Sequence, residues 1–220
     1  MNRVFIIMNI VLFFFLSSCA TAPVEREDAG LLPDKREVLS PEEREKKAFE
    51  KFNEILIVKR SSRDRKAVLP KMEELYIQLI DEYPDVPVAQ ESYWKLVEIY
   101  TKDYSPPLYD KAEELYDKFV KKYPESGLKR LVDKTLALSY YINKEWERLS
   151  KLCSPEFKKY IEEGKPPYPL LIFMYAEANF HLRNFEESEK GFKIVMEDFP
   201  QLNENRRAMD RIEYMKGVKH

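Results

Sequence analysis

Residues 119–126 read FVKKYPES, and the aromatic residue at the centre of this stretch recurs along the chain at a regular interval. The recurring residues are Tyr83, Tyr123, Tyr160 and Phe199, spaced 40, 37 and 39 residues apart, and three of the four are followed directly by proline. Proline ends an α-helix because it lacks a backbone N–H and its ring clashes with the preceding turn. Helix ends at this interval predict a stack of helical hairpins.

The composition favours an all-α protein. The 220 residues include five glycines and fourteen prolines, which leaves few positions for tight sheet turns or phosphate-binding loops. The 37 basic and 39 acidic residues are interspersed, so no basic surface indicates nucleic-acid binding. Apolar residues at three- and four-residue spacing predict nine helices. Their predicted bounds are Pro41–Lys59, Lys66–Tyr83, Val88–Lys102, Leu108–Tyr123, Gly127–Ile142, Lys144–Glu162, Tyr168–Leu182, Phe185–Phe199 and Glu204–Lys216.

The N-terminal residues predict an export signal with a lipid attachment site. An apolar run from Val4 to Leu16 is too short to span a bilayer and is typical of a signal peptide. It ends in Leu-Ser-Ser-Cys, which resembles the bacterial lipobox, and this resemblance implies cleavage before Cys19 and acylation of its thiol. The alternative is an ordinary signal peptide with a chance cysteine. In a Gram-negative host, alanine at position 20 implies sorting to the periplasmic face of the outer membrane.

Three segments are therefore expected. Residues 1–18 form a lipoprotein signal peptide, and residues 19–39 form a flexible tether that begins at the lipidated Cys19. Residues 40–220 form a helical solenoid that ends in a capping helix. The solenoid begins at Ser40-Pro41-Glu42-Glu43, which has a serine N-cap, proline at the first helical position and an acid three residues beyond the cap.

Motifs for catalysis and metal binding are absent from the sequence. The two histidines are His181 and His220, and the sequence contains no H-E-x-x-H, G-x-S-x-G, P-loop or G-x-G-x-x-G motif. Cys153 and His181 offer a nucleophile and a base. A single cysteine among helical core positions is usually a small buried hydrophobe, so we expect an inert Cys153. The prediction is a protein without catalytic residues, metal or cofactor, with a Cys153-dependent enzyme as a distant alternative.

The repeats resemble the tetratricopeptide pattern W-x2-L-G-x2-Y, A-x3-F, P, which folds as a helix-turn-helix. Three units carry the resemblance: Tyr93, Leu96, Val97, Tyr100, Ala112, Tyr116 and Pro124; then Asp133, Leu136, Ala137, Tyr140, Leu149, Cys153 and Tyr160; then Ile172, Tyr175, Ala176, Asn179, Ser188, Phe192 and Pro200. Asp133 departs from the pattern at the tryptophan position. The resemblance implies an all-α, tetratricopeptide-like solenoid of about four to five helical hairpins.

Loosened repeats of this kind behind a lipobox look like the BamD (YfiO) family of outer-membrane lipoproteins. That resemblance implies a non-catalytic periplasmic scaffold for outer-membrane β-barrel assembly, with a BamA-like subunit or unfolded outer-membrane proteins as partners. The alternative is a pilotin-like lipoprotein, or one that coordinates cell-wall synthesis or cell division through the same repeats.

In tetratricopeptide proteins the first helix of each hairpin lines a concave groove that binds peptides. Carried onto this chain, the resemblance selects a groove set of seven residues: Trp94, Glu98, Leu138, Tyr141, Phe173, Glu177 and Phe180. Exposed aromatic residues here suit an extended or helical peptide, because aromatic rings give a large contact area at a low cost in conformational entropy. For each aromatic residue the alternative is a place in the core between repeats.

Overall fold

The computed structural model describes residues 39–164 and 168–218. These residues form nine α-helices and no strand: α1 (Pro41–Arg60), α2 (Arg65–Glu82), α3 (Pro87–Glu98), α4 (Tyr109–Lys122), α5 (Lys129–Asn143), α6 (Trp146–Glu163), α7 (Pro169–His181), α8 (Phe185–Asp198) and α9 (Asn205–Val218). A π-helical turn, Ile99–Asp103, extends α3. The all-α fold predicted from the sequence is therefore confirmed. The predicted signal peptide and nearly all of the predicted tether, including Cys19, lie outside the described residues.

The predicted start of α1 is a capping box. The Ser40 hydroxyl accepts a hydrogen bond from the Glu43 backbone N–H at 3.2 Å, and the Glu43 carboxylate accepts one from the Ser40 N–H at 2.9 Å. Each residue thus satisfies a donor that the first helical turn leaves without a partner. Proline at the first helical position adds a preset backbone angle.

The recurring aromatic residues also join the hairpins to one another. Tyr83, Tyr123 and Phe199 are the C-cap residues of α2, α4 and α8. The Tyr123 hydroxyl donates to the Pro84 carbonyl at 2.5 Å, which connects two successive helix ends. Tyr160 lies inside α6, which continues to Glu163 and ends at the left-handed Gly164.

The helices stack as a solenoid of hairpins. The hairpins are α1–α2, α3–α4, α5–α6 and α7–α8, and α9 packs on α8. Each helix packs against its sequence neighbours, and the first helices α3, α5 and α7 also contact one another in order. Sheltered between its neighbours, α7 is buried at every residue from Leu171 to Phe180.

Asp133, at the repeat's tryptophan position, is buried and fully paired. Its carboxylate accepts a hydrogen bond from the Tyr116 hydroxyl at 2.6 Å and one from the Lys129 ammonium at 2.7 Å. A buried charge is tolerated when it is paired and hydrogen-bonded. Two polar contacts replace the apolar packing that the repeat pattern has at this position.

An acidic residue bound by a tyrosine and a basic side chain joins hairpins at two successive places. The Glu73 carboxylate on α2 accepts from the Tyr100 hydroxyl at 2.8 Å and from the Lys111 ammonium at 2.9 Å. One hairpin further on, Glu113 accepts from the Tyr140 hydroxyl at 2.7 Å and pairs with Arg148 at 2.6 Å. The same arrangement of acid, tyrosine and base therefore fixes α2 to the second hairpin and α4 to the third.

Candidate protein-binding surface

The groove set lies on three first helices, with two residues on α3, two on α5 and three on α7. The structure separates the set into two parts. Trp94, Glu98, Leu138 and Tyr141 are partly exposed, whereas Phe173, Glu177 and Phe180 are buried. The first part is therefore the more accessible of the two.

Trp94 is a fixed aromatic residue at the junction of α3 and α5. Its indole N–H donates to the Thr135 hydroxyl at 3.1 Å, and Thr135 in turn donates to the Leu131 carbonyl at 2.8 Å. The Lys95 ammonium lies 3.5 Å from the centroid of the indole ring. Because its polar atom is satisfied inside the protein, the part of the ring that remains exposed offers an apolar surface.

Glu98 is ionised and paired on both sides. Its carboxylate accepts from Lys95 at 3.0 Å and from Lys102 at 2.8 Å. Burial raises the pKa of Glu98, but the hydrogen bonds from the two lysines lower it by more, so the net pKa is lowered. Because two lysines share one carboxylate, the surface beside Trp94 carries a net positive charge.

The buried part of the groove set belongs to the core between repeats, which was the alternative reading of these aromatic residues. Phe173 is 2% exposed and packs on the Phe192 ring of α8 at 5.9 Å. Phe180 is 9% exposed and contacts the Phe185 and Tyr214 rings at 6.0 and 5.4 Å. Glu177, between them, is 1% exposed.

Helix α9 covers this part of the groove set, and Tyr141 of the partly exposed part, with three long side chains. Arg207 hydrogen-bonds the Tyr141 hydroxyl. Arg211 pairs with the Glu177 carboxylate at 2.9 Å and lies 4.3 Å from the Phe180 ring centroid, against which Tyr214 also packs. The accessible surface is thus concentrated on α3 and α5.

The comparison with protein families identifies the repeat. Residues 108–126, which include α4 and the Tyr123-Pro124 step, match the family model described as Tetratricopeptide repeat. Together with the stacked hairpins, this match shows a tetratricopeptide-like helical solenoid. This repeat is a scaffold for protein–protein contacts, and no curated protein or solved structure matches the chain at a significant level.

Cys153 and His181 occupy different environments in the tetratricopeptide solenoid. Cys153 is 0% exposed, and burial raises the pKa of its thiol. His181 stacks on the Trp146 ring, with centroids 4.0 Å apart, and its Nε2 lies 3.6 Å from the Glu177 carboxylate. Burial lowers the pKa of His181. A buried thiol with a raised pKa forms little of the reactive thiolate near neutral pH.

The described residues contain neither a metal-binding cluster nor a helix that could span a membrane. Residues 39–164 and 168–218 hold no group of three or more His, Cys, Asp or Glu side chains placed to bind a metal ion. Over the same residues, every helix is too short or too polar to cross a membrane.

Sequence reasoning missed the three residues of α9 that cover the tetratricopeptide groove set. The signal was present, because Arg207, Arg211 and Tyr214 stand four and three residues apart and therefore share one face of a helix. The spacing does not predict which neighbouring helix that face packs against. Thr135, the partner of Trp94, was missed for the same reason.

Proposed function

We propose that this protein is a non-catalytic scaffold lipoprotein that binds a partner polypeptide along α3 and α5 at the periplasmic face of the outer membrane. The observation that carries the proposal is the partly exposed, hydrogen-bonded Trp94 on a tetratricopeptide scaffold. Binding by such a ring needs little further ordering of the side chain, which favours affinity. The role closest to these features is that of a BamD-like component of β-barrel assembly.

Apolar residues of α5 extend the binding surface beside Trp94. Thr135 hydrogen-bonds Trp94, and Leu131 and Leu138 lie one helical turn to either side of Thr135. Both leucines are partly exposed. A ring flanked by two aliphatic side chains suits an apolar or aromatic anchor on the partner.

The proposed location rests on the lipobox-like residues that end in Cys19. The test is membrane fractionation of a Gram-negative host that expresses the wild-type chain and Cys19→Ala. We expect the wild-type chain in the outer-membrane fraction and the variant to be lost from that fraction. Cys153→Ala is the matched control and stays in the membrane. A Cys19→Ala chain that remains in the outer membrane rejects the lipid anchor.

The partner is tested by affinity capture from detergent-solubilised membranes, with wild-type and Trp94→Ala chains as baits. The β-barrel assembly role requires recovery of a BamA-like subunit or of outer-membrane proteins with the wild-type bait, and a clear loss with the variant. Recovery of a secretin or a cell-wall synthase without a BamA-like protein rejects the assembly role and supports the pilotin-like or cell-wall alternative. In either case Trp94 dependence tests the binding surface itself.

A further inference from the structure

Glu177 is a buried carboxylate whose main cationic partner comes from another helix. It is 1% exposed, in the middle of α7. The Arg211 guanidinium of α9 approaches both carboxylate oxygens, with Nε 2.9 Å from Oε1 and Nη2 3.4 Å from Oε2. This two-point contact uses the planar fork of arginine, which a lysine ammonium does not reproduce.

Three other polar groups lie near Glu177, and none of the three carries a guanidinium. His181 of α7 lies 3.6 Å from Oε2, and burial lowers its pKa, so it is a weak source of positive charge near neutral pH. Tyr141 of α5 and Lys144, which caps that helix, lie in the same region, and Tyr141 is bound to Arg207 of α9. An isolated buried carboxylate is strongly unfavourable. The carboxylate therefore needs a cationic partner, and Arg211 provides it with a guanidinium.

The helix that supplies Arg211 buries few of its residues. Its buried residues are Ala208, Ile212 and Met215, whereas ten residues of α7 are buried. Tyr214, which covers Phe180, is 56% exposed. The Arg211 side chain is itself 30% exposed, so a competing side chain can reach it from solvent. Segments with few buried contacts open at low free-energy cost.

We propose that Glu177 and Phe180 form a guanidinium receptor, that Arg211 is its resident occupant, and that an arginine side chain of the bound partner polypeptide replaces Arg211. The partner segment that fits carries an arginine followed three residues later by an aromatic residue, as Arg211 is followed by Tyr214. The arginine pairs with Glu177 and the aromatic residue packs on Phe180. This inference rests on the proposed function, and it adds a second anchor to the Trp94 surface.

The first test is chemical rescue in the full chain. Arg211→Ala empties the receptor, and ethylguanidinium is then added as the probe. We expect about 100 mM ethylguanidinium to raise the Tm of Arg211→Ala by at least about 2 °C more than it shifts the wild-type Tm. Ethylammonium, with the same charge and no fork, should give less than half of that rise.

Two control variants test whether the rise in Tm depends on the receptor. Arg206→Ala removes an exposed arginine from the same helix and should show no rescue. The double variant Glu177→Gln/Arg211→Ala lacks the carboxylate and should also show none. Arg211→Gln, which keeps part of the stem, is measured in parallel so that a folded chain with an empty receptor is available. Absence of rescue in both Arg211 variants, or equal rescue in the double variant, overturns the receptor.

Measuring partner recovery separates this inference from the proposed function. In the membrane capture experiment, Glu177→Gln should lower partner recovery at least fivefold at unchanged recovery of bait. If Trp94→Ala loses the partner and Glu177→Gln does not, the scaffold function stands and the arginine anchor is rejected. If neither variant loses it, the proposed binding surface is rejected, while the rescue result still decides whether the receptor exists.

Discussion

The indole N–H of Trp94 donates to the Thr135 hydroxyl at 3.1 Å, across the junction between α3 and α5. The two residues belong to successive hairpins and occupy their first helices. Trp94 therefore has two roles, because it joins two repeats and presents the rest of its ring to a partner. These roles make different demands on the side chain, so substitutions can separate them.

Trp94→Phe should keep most partner binding at a cost of about 1 kcal/mol in stability, since it removes one hydrogen bond and keeps an aromatic ring. Trp94→Ala should cost about 2–3 kcal/mol and lower partner recovery at least fivefold. Thermal unfolding and membrane capture measure the two effects. Phe52→Ala is the control, because it removes a partly buried aromatic residue from α1, outside the groove set. Equal loss of the partner in both alanine variants assigns the loss to stability.

The helix boundaries could be predicted from the sequence because the signals that set them are local. The capping box at Ser40 involves neighbouring residues, and so do the helix ends at Tyr83, Tyr123 and Phe199. The exposure of Phe180 was beyond prediction, because it depends on a residue 34 positions away, Tyr214, that arrives only through the folded path of α9. Repeat position specifies which face of a helix a residue occupies, but not what covers that face.

Gly191 lets α7 and α8 approach closely. A Cβ at position 191 would lie 2.8 Å from the Ala176 Cβ, which is closer than two methyl groups can pack. Gly191→Ala should therefore destabilise the fold by about 1–3 kcal/mol, although alanine favours the helix by about 1 kcal/mol. Urea unfolding measures the change. The compensating variant is Ala176→Gly.

In a double-mutant cycle, the combined Gly191→Ala/Ala176→Gly chain should be at least about 1 kcal/mol more stable than the sum of the single changes allows. The new methyl group occupies the space that the old one leaves. Strictly additive effects would show that the close approach at Gly191 does not limit stability.

Ser188 replaces the alanine of the repeat pattern and should be a weak point in the core. Ser188 is 0% exposed, and its hydroxyl has no hydrogen-bond partner among the described residues. Ser188→Ala should stabilise the protein by about 1 kcal/mol, since it removes an unsatisfied buried hydroxyl and improves helix propensity. Ser92→Ala is the matched control, because the equally buried Ser92 hydroxyl donates to the Val88 carbonyl at 2.7 Å. Destabilisation by Ser188→Ala would mean that the hydroxyl has a partner in solution.

Glu73 should contribute an acid-sensitive part of the stability. Burial raises the pKa of its carboxyl, but hydrogen bonds from Lys111, Tyr100 and Tyr104 lower it by more, so the folded-state pKa lies below the ordinary value. The folded state therefore binds this proton less readily than the unfolded state. The stabilisation is present above about pH 4.5 and is lost as the pH falls through the folded-state pKa.

Unfolding free energies measured between about pH 3 and pH 6 should therefore fall less steeply with acid in Glu73→Gln than in the wild-type chain. Tyr100→Phe, which removes one of the three donors to Glu73, should give an intermediate slope. Identical slopes in the three chains would assign the acid sensitivity to other carboxylates.

Cys153 tests the non-catalytic part of the proposal. Its side chain is 0% exposed, and burial raises the pKa of the thiol, so the reactive thiolate is scarce in the folded state. In a Cys19→Ala chain, where Cys153 is the remaining cysteine, a disulfide reagent should label the thiol at the rate at which the protein opens. Labelling should accelerate steeply with denaturant. Cys153→Ala should cost about 1–2 kcal/mol in stability and leave partner recovery unchanged. Native-state labelling as fast as that of the unfolded chain, or loss of function in Cys153→Ala at unchanged Tm, would instead favour the cysteine-dependent enzyme.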